Sequence, residues 1–223
     1  MKRASKLINS IIIVSLFLSC SKQSENQTPV EDIPNAGFEN WGTLDGFDKP
    51  DTWETSNFSL FSVVSFNTVT KDIIEKYSGI FCPRLETKSQ YIDNVEVKVA
   101  GLLTLGSFDI NIETRKATVS GGIPFEGKPI TFEGFYKYNG VGIDRCYFNI
   151  VLTRFNAISN NQDTIGHGTL SSGSISSWTP FKIPIEYLSN DAPESMNIVI
   201  LSSDTTIFEP GSTLWVDNLI LKY

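Results

Sequence analysis

Residues 131–138 run Thr131-Phe132-Glu133-Gly134-Phe135-Tyr136-Lys137-Tyr138, and residues 178–187 run Trp178-Thr179-Pro180-Phe181-Lys182-Ile183-Pro184-Ile185-Glu186-Tyr187. Successive side chains of a strand point to opposite faces, so a period of two sorts each segment. In the first, Phe132, Tyr136 and Tyr138 share one face, with Glu133, Phe135 and Lys137 on the other. In the second, Phe181, Ile183 and Ile185 share one face, opposite Lys182, Pro184 and Glu186. Strands of this kind pack one face on a second sheet and turn the other to water.

The same pattern extends along the chain. Candidate strands are 58–66, 80–87, 96–103, 108–119, 130–138, 146–155, 181–187, 197–203 and 213–221, rich in Val, Ile, Phe, Thr and Tyr and separated by Gly, Pro, Asn and Ser. Many short strands at regular spacing predict an all-β, two-sheet antiparallel sandwich. Only Lys71–Tyr77 has helical character, as one or two turns of a connection, and no interval is long enough for parallel-sheet crossover helices. With 40% apolar and 12% aromatic residues the chain can build a real core, which excludes wholesale disorder. A formal net charge of −7 argues against nucleic acid, whose phosphates ask for a basic footprint.

The first twenty residues, MKRASKLINSIIIVSLFLSC, hold three basic residues followed by a short apolar run, Ile11 to Leu18. That run is too short to cross a bilayer core of ~30 Å and has the build of an export signal. It ends at Ser19-Cys20, which resembles the lipobox of bacterial lipoproteins and implies lipidation of Cys20. Residues 1–19 are then a leader, 20–32 a polar tether, and 33–223 one folded domain. Losing the basic leader takes the net charge from −7 to −10. Ser21, rather than Asp, follows the Cys, which by resemblance to Gram-negative sorting implies an outer-membrane lipoprotein, on the cell surface or the periplasmic face. Cys82 and Cys146 lie in apolar runs and are expected free and buried, though an exported compartment permits a disulfide.

Catalytic constellations are sparse. His167 is the sole histidine, in the glycine-flanked Ile165-Gly166-His167-Gly168, which suggests a surface turn. No nucleophile elbow, phosphate loop or Cys/His metal cluster occurs. Glycoside hydrolysis needs only two carboxylates flanking the bond. Glu113, Glu133 and Glu186 sit on expected strands, but nothing shows that any two face each other.

The ends carry further motifs. The domain opens with Asn35-Ala36-Gly37-Phe38-Glu39 and Pro50-Asp51-Thr52-Trp53, continues through Gly79 and Arg84-Leu85-Glu86-Thr87, and closes with Trp215-Val216-Asp217-Asn218-Leu219. In that order these resemble jelly-roll carbohydrate-binding modules. Gly122-Ile123-Pro124-Phe125, Lys128-Pro129, Gly134-Phe135-Tyr136-Lys137-Tyr138 and Ser177-Trp178-Thr179-Pro180-Phe181 are similar to the putative carbohydrate metabolism domain of bacterial surface lipoproteins, over roughly residues 33–223. Lys128 stands where that family often has Arg. The resemblance implies a jelly-roll, galactose-binding-like sandwich with a polysaccharide or oligosaccharide as ligand. It also implies a structural Ca²⁺ held by Glu39 and Asp217, with backbone carbonyls and water completing the about 6–8 oxygen ligands calcium prefers. The alternative is that the two are hydrogen-bonded structural carboxylates without metal. Asn218 replaces the second Asp of many such modules and lowers the charge of that site.

Aromatic rings stack on the apolar faces of sugars. Trp53, Trp178, Tyr136 and Tyr138 are the candidate platform, whereas Trp41 is expected to plug the sandwich end and Trp215 to lie in the core. Three readings follow: a non-catalytic glycan-binding lipoprotein that touches the membrane only through its lipid, a sandwich glycoside hydrolase, or an adhesive module for envelope protein partners.

Overall fold

A computed structural model describes residues 10–11, 13–16, 32–60, 63–92, 94–111, 114, 116–204, 206 and 208–223, and every regular element among them is a strand. Two antiparallel sheets form the sandwich. The first runs in the order Glu186–Tyr187, Asn161–Ser172, Cys146–Asn156, Ser195–Leu201, Leu102–Thr104, Glu54–Thr55, with Ile123–Pro124 also pairing Ser195–Leu201. The second runs Ile175–Pro184, Thr131–Asn139, Thr213–Lys222, Cys82–Glu86, Val69–Asp72. Sequence neighbours repeatedly fall in opposite sheets, which is the jelly-roll arrangement.

The alternation places the core between the sheets as expected. Phe132, Phe181, Ile183 and Ile185 are buried. Phe181 meets Phe132 edge-on at 5.2 Å, and Phe148 of the opposite sheet lies 4.8 Å from Phe181. Offset and edge-to-face contacts of this kind add about 0.5–1.5 kcal/mol each to the area they bury. Cys82 and Cys146 are free and buried, as expected from their apolar surroundings.

The interior also claims residues that sequence reasoning assigned to a sugar platform. Tyr136 and Tyr138 share the inward face of Phe132, so the period of two that predicts the strand also buries them. Trp53 is fully buried against Phe38, with ring centroids 5.4 Å apart, and its Nε1 donates to Pro34 O at 3.1 Å. Leu219 N donates to Ala36 O, so Trp53 helps fasten the opening segment to the closing strand. None of the three can stack on a ligand. Trp215 is displaced the other way: Leu214 and Val216 point inward, and Trp215 faces out between Arg84 and Lys137.

Four hairpins elaborate the sandwich: Trp41–Leu44 with Phe47–Pro50, Phe58–Leu60 with Val64–Phe66, Lys88–Ile92 with Val95–Val99, and Ser107–Asn111 with Lys116–Ser120. The first turns through Asp45 and Gly46, both at positive φ, the combination a two-residue hairpin turn requires. The last three enclose a second apolar cluster against the outer face of the first sheet, around Phe66, Val97, Val99, Val119 and Leu201. The backbone of Ser10–Ile11 and Ile13–Leu16 runs parallel to Val95–Val99 and Lys116–Ser120. Cys20 and the tether up to residue 31 lie outside the described residues, as does Glu113. Residues 73–80 form bends rather than the expected helical turns.

Candidate functional site

The second cluster covers only part of the outer face of the first sheet. Beyond it the long strands Cys146–Asn156, Asn161–Ser172 and Ser195–Leu201 floor an open groove of about 430 Å³, with Val119, Ser120, Gly121 and Leu188 in its walls. Register sets its contents. Across the ladder, Thr169, Asn149 and Val199 form one rung; His167, Val151 and Asn197 form the next; Thr164 pairs Thr153 in the third. Tyr147 stands at the end nearer the apolar cluster.

Thr164 and His167 are three residues apart, yet both line the groove. A register shift between Leu152 and Thr153 explains it, because the bulge takes up one residue, Ile165, which turns into the core. The glycines beside His167 therefore serve a strand and not a turn. A Cβ on Gly168 would stand 2.6 Å from Pro184 O and 2.7 Å from Ile183 Cγ2, so only glycine lets this strand approach the other sheet so closely.

The groove's polar groups are largely uncommitted. Among the described residues no hydrogen bond engages the side chains of Tyr147, Asn149, Thr153, Thr164, His167 or Thr169, and His167 Nδ1 is buried without a partner. Gln162 Oε1, two residues before Thr164, is likewise buried and unpartnered. Leaving such a group unsatisfied costs about 1–3 kcal/mol, so a native fold keeps one mainly where water or a ligand meets it. Burial alone raises the Tyr147 phenol above its ordinary value, which keeps it a neutral hydroxyl. Among the described residues, no Asp, Glu, Lys or Arg lines the groove.

The remaining expected site residues are elsewhere. Trp178 is half-buried on the outer face of the second sheet, 6.1 Å from Tyr77, whose ring stacks on Phe135 at 3.6 Å and 11°. Glu133 accepts from Thr131 Oγ1 at 2.8 Å and pairs with Lys182 at 3.2 Å. Chiefly through that Thr131 bond, with Lys182 assisting, its carboxyl is held below the usual range, the wrong direction for a proton donor. Glu186 is exposed on the edge strand, opposite His167 in the ladder and outside the groove lining.

Glu39 and Asp217 do converge, but on a loop. Asp217 Oδ2 accepts from Tyr77 N at 3.0 Å and Ser78 N at 2.9 Å, and the Glu39 carboxylate accepts from Ile80 N at 3.0 and 3.1 Å. Gly79, at φ +65°, lies so close that an added Cβ would come within 1.8 Å of Glu39 Oε1. Burial raises the Asp217 carboxyl, its backbone hydrogen bonds offset this only in part, and Glu39 adds to the rise. Backbone N–H groups aimed at both carboxylates present positive ends where a cation would need oxygen, so this donor set does not fit the expected calcium cage. Among the described residues, no three His, Cys, Asp or Glu side chains gather into a metal-holding group.

The putative carbohydrate metabolism domain matches residues 31–222. This chain belongs to that family. No curated protein matches. Among solved structures the chain is similar to a putative glycoside hydrolase from Bacteroides thetaiotaomicron, at 21% identity and a TM-score of 0.55, covering 70% of this chain and 57% of that one. It is also similar to the family 11 carbohydrate-binding module of a cellulosomal cellulase of Clostridium thermocellum, at 13% identity and a TM-score of 0.42, covering 87% and 96%. A third similar structure is the module TmCBM61 in complex with β-1,4-galactotriose, at 9% identity and a TM-score of 0.42, covering 85% and 95%. At these identities the likeness is one of fold. Within this putative carbohydrate metabolism domain, the groove offers neutral donors and acceptors beside Tyr147 and the aliphatic Val151, Val199 and Leu188. Such a surface can hydrogen-bond a neutral, hydroxyl-rich ligand, and its described lining residues include no carboxylate.

Proposed function

We propose that this member of the putative carbohydrate metabolism domain family binds a polysaccharide or oligosaccharide in the groove of the first sheet without cleaving it. The observation that carries the reading is the set of unengaged polar side chains on rigid strands, with His167 Nδ1 buried and unpartnered at its centre. Sugar hydroxyls are the neutral donor-acceptors that such a set lacks. Tyr147 gives an aromatic contact for a pyranose.

The test is affinity electrophoresis of the chain from Ser21 through gels carrying plant, host and microbial polysaccharides. Retention by one class is expected. Asn149→Ala and His167→Ala should each weaken it roughly 2–12-fold, the worth of about 0.5–1.5 kcal/mol per hydrogen bond. Trp178→Ala, on the opposite sheet, should leave it unchanged. Retention lost in Trp178→Ala and kept in the groove variants would move the site to the other sheet. Release of new reducing ends from the retained polysaccharide would overturn the non-catalytic part.

The basic and apolar leader ending at Ser19-Cys20, followed by Ser21, supports a second part of this reading, an outer-membrane lipoprotein held by lipid on Cys20. Metabolic labelling with palmitate should mark the wild-type chain and fail on Cys20→Ala. Label that persists in the variant would remove the anchor. Envelope protein partners become the better reading if no polysaccharide retards the chain.

A further inference from the structure

Residues 73–80 display Ile73, Ile74, Tyr77 and Ile80 with 61, 83, 43 and 63% of their surface exposed. Four large apolar side chains on one short loop form a patch that ordinary surfaces avoid. The loop is nevertheless fastened. Asp72 Oδ1 accepts from Ile74 N at 2.8 Å and Glu75 N at 3.1 Å, and Asp217 and Glu39 hold Tyr77, Ser78 and Ile80. A backbone tied at five N–H groups cannot fold its side chains away, so their exposure belongs to the native state.

Branched isoleucines lack the flat face that stacks on a sugar ring, which sets this patch apart from the groove. What covers it follows from chain geometry. Glu39, which holds Ile80, is seven residues beyond Asp32, where the described domain begins, and Asp32 is twelve beyond Cys20. Twelve residues span at most about 40 Å, little more than the width of a domain with a radius of gyration of roughly 16 Å. A lipid on Cys20 therefore leaves this face within reach of the bilayer. Lys71, Lys76 and Lys137 are set against Asp72, Glu75, Glu39 and Asp217 around the loop, with Glu75 paired to Lys137 at 2.9 Å, so zwitterionic headgroups suit it better than an anionic surface. Tyr77 and the neighbouring Trp178 are side chains that favour the headgroup level.

We propose that residues 73–80 dock into the headgroup region of the bilayer that holds the anchor, which orients the domain with the groove of the opposite sheet facing away from the membrane. The inference rests on the reading of Cys20 as lipidated.

The experiment places an environment-sensitive fluorophore at Ile74→Cys, and separately at Ile158→Cys, in the full lipidated chain. Ile158 is 99% exposed at the tip of the hairpin between Cys146–Asn156 and Asn161–Ser172, on the other sheet. Cys82 and Cys146 are buried, and burial pushes the Cys146 thiol up to about 12, so the engineered thiols label selectively. In vesicles mainly of phosphatidylethanolamine, with phosphatidylglycerol as the minor lipid, the label at 74 should shift to the blue and be quenched by headgroup-level nitroxide lipids, while that at 158 does neither. Equal responses at the two positions would overturn the proposal. So would a shift at 74 that appears without vesicles and grows with protein concentration, which assigns the patch to a second copy, or one that appears only on adding glycan. Failure of the palmitate labelling would remove the anchor and this proposal together, while leaving glycan retention in gels unaffected.

Discussion

Trp53→Ala is expected to lower stability by about 3–5 kcal/mol, the usual cost of emptying a buried aromatic site. The indole is fully enclosed, touches Phe38, and hydrogen-bonds the Pro34 carbonyl, so the substitution leaves a cavity and an unpaired acceptor where the opening segment joins the sandwich. Against a total of about 5–15 kcal/mol for a natural domain, that is a large share of the whole. Urea denaturation should show a lower midpoint with the slope kept. Trp178→Ala, half-buried on an outer face, should change stability by no more than about 0.5 kcal/mol by comparison. A Trp53→Ala chain that melts like wild type and loses only glycan retention would return Trp53 to the ligand surface.

Trp53 also shows where sequence reasoning stops. Its neighbours Pro50, Asp51 and Thr52 suggest a loop, and a tryptophan in a loop is easily taken for a ligand contact; only the packing of Phe38 and the docking of Ala36 on Leu219 bury it. Tyr136 and Tyr138 were legible, because the alternation that defines their strand puts them with Phe132 on the core face. Trp215 follows the same rule in reverse, one step from Leu214 and Val216, and the apolar character of the closing strand hides it. The main sandwich strands were readable because burial on one face enforces a period of two. Asn161–Ser172 was not, since Gly166 and Gly168 mimic turn punctuation while serving close approach, Gly166 to Tyr187 and Ile185, Gly168 to Ile183 and Pro184. The groove was hidden for the same reason. Asn149, His167 and Asn197 become neighbours only through the register of three strands, and a bulge inside Asn161–Ser172 decides which side Thr164 takes. The unread hairpin at 41–50 did carry a usable signal, the Asp45-Gly46 pair.

Asp217→Ala should cost about 2–4 kcal/mol, because backbone donors of Tyr77, Ser78 and Asn218 lose a charged acceptor in a buried setting. Gly79→Ala should act on the same loop from the other side, since its positive φ disfavours a side chain and its Cβ would displace Glu39. The loop lies over Cys82, whose Sγ donates to Glu75 O at 2.8 Å, so both variants should expose a thiol that a disulfide reagent barely reaches in wild type. The pH dependence has a definite sign. Burial lifts the folded Asp217 carboxyl above its ordinary value of 3.8, so the folded state holds the proton more tightly than the unfolded chain. That contribution is complete below 3.8 and is lost as pH rises through the folded value. This residue's share of the melting temperature should therefore grow as the pH is lowered from neutral into that window, against the opposite trend from the lowered Glu133 and Asp72 carboxyls, and should vanish in Asp217→Ala. Chelation is the sharpest comparison. With the carboxylates occupied by backbone N–H groups, a calcium chelator should leave the wild-type melting temperature where it was, because only a ligand bound to the native state can stabilise it. A fall on chelation that Asp217→Ala abolishes would mean that a cation, and not the loop, is what Glu39 and Asp217 hold.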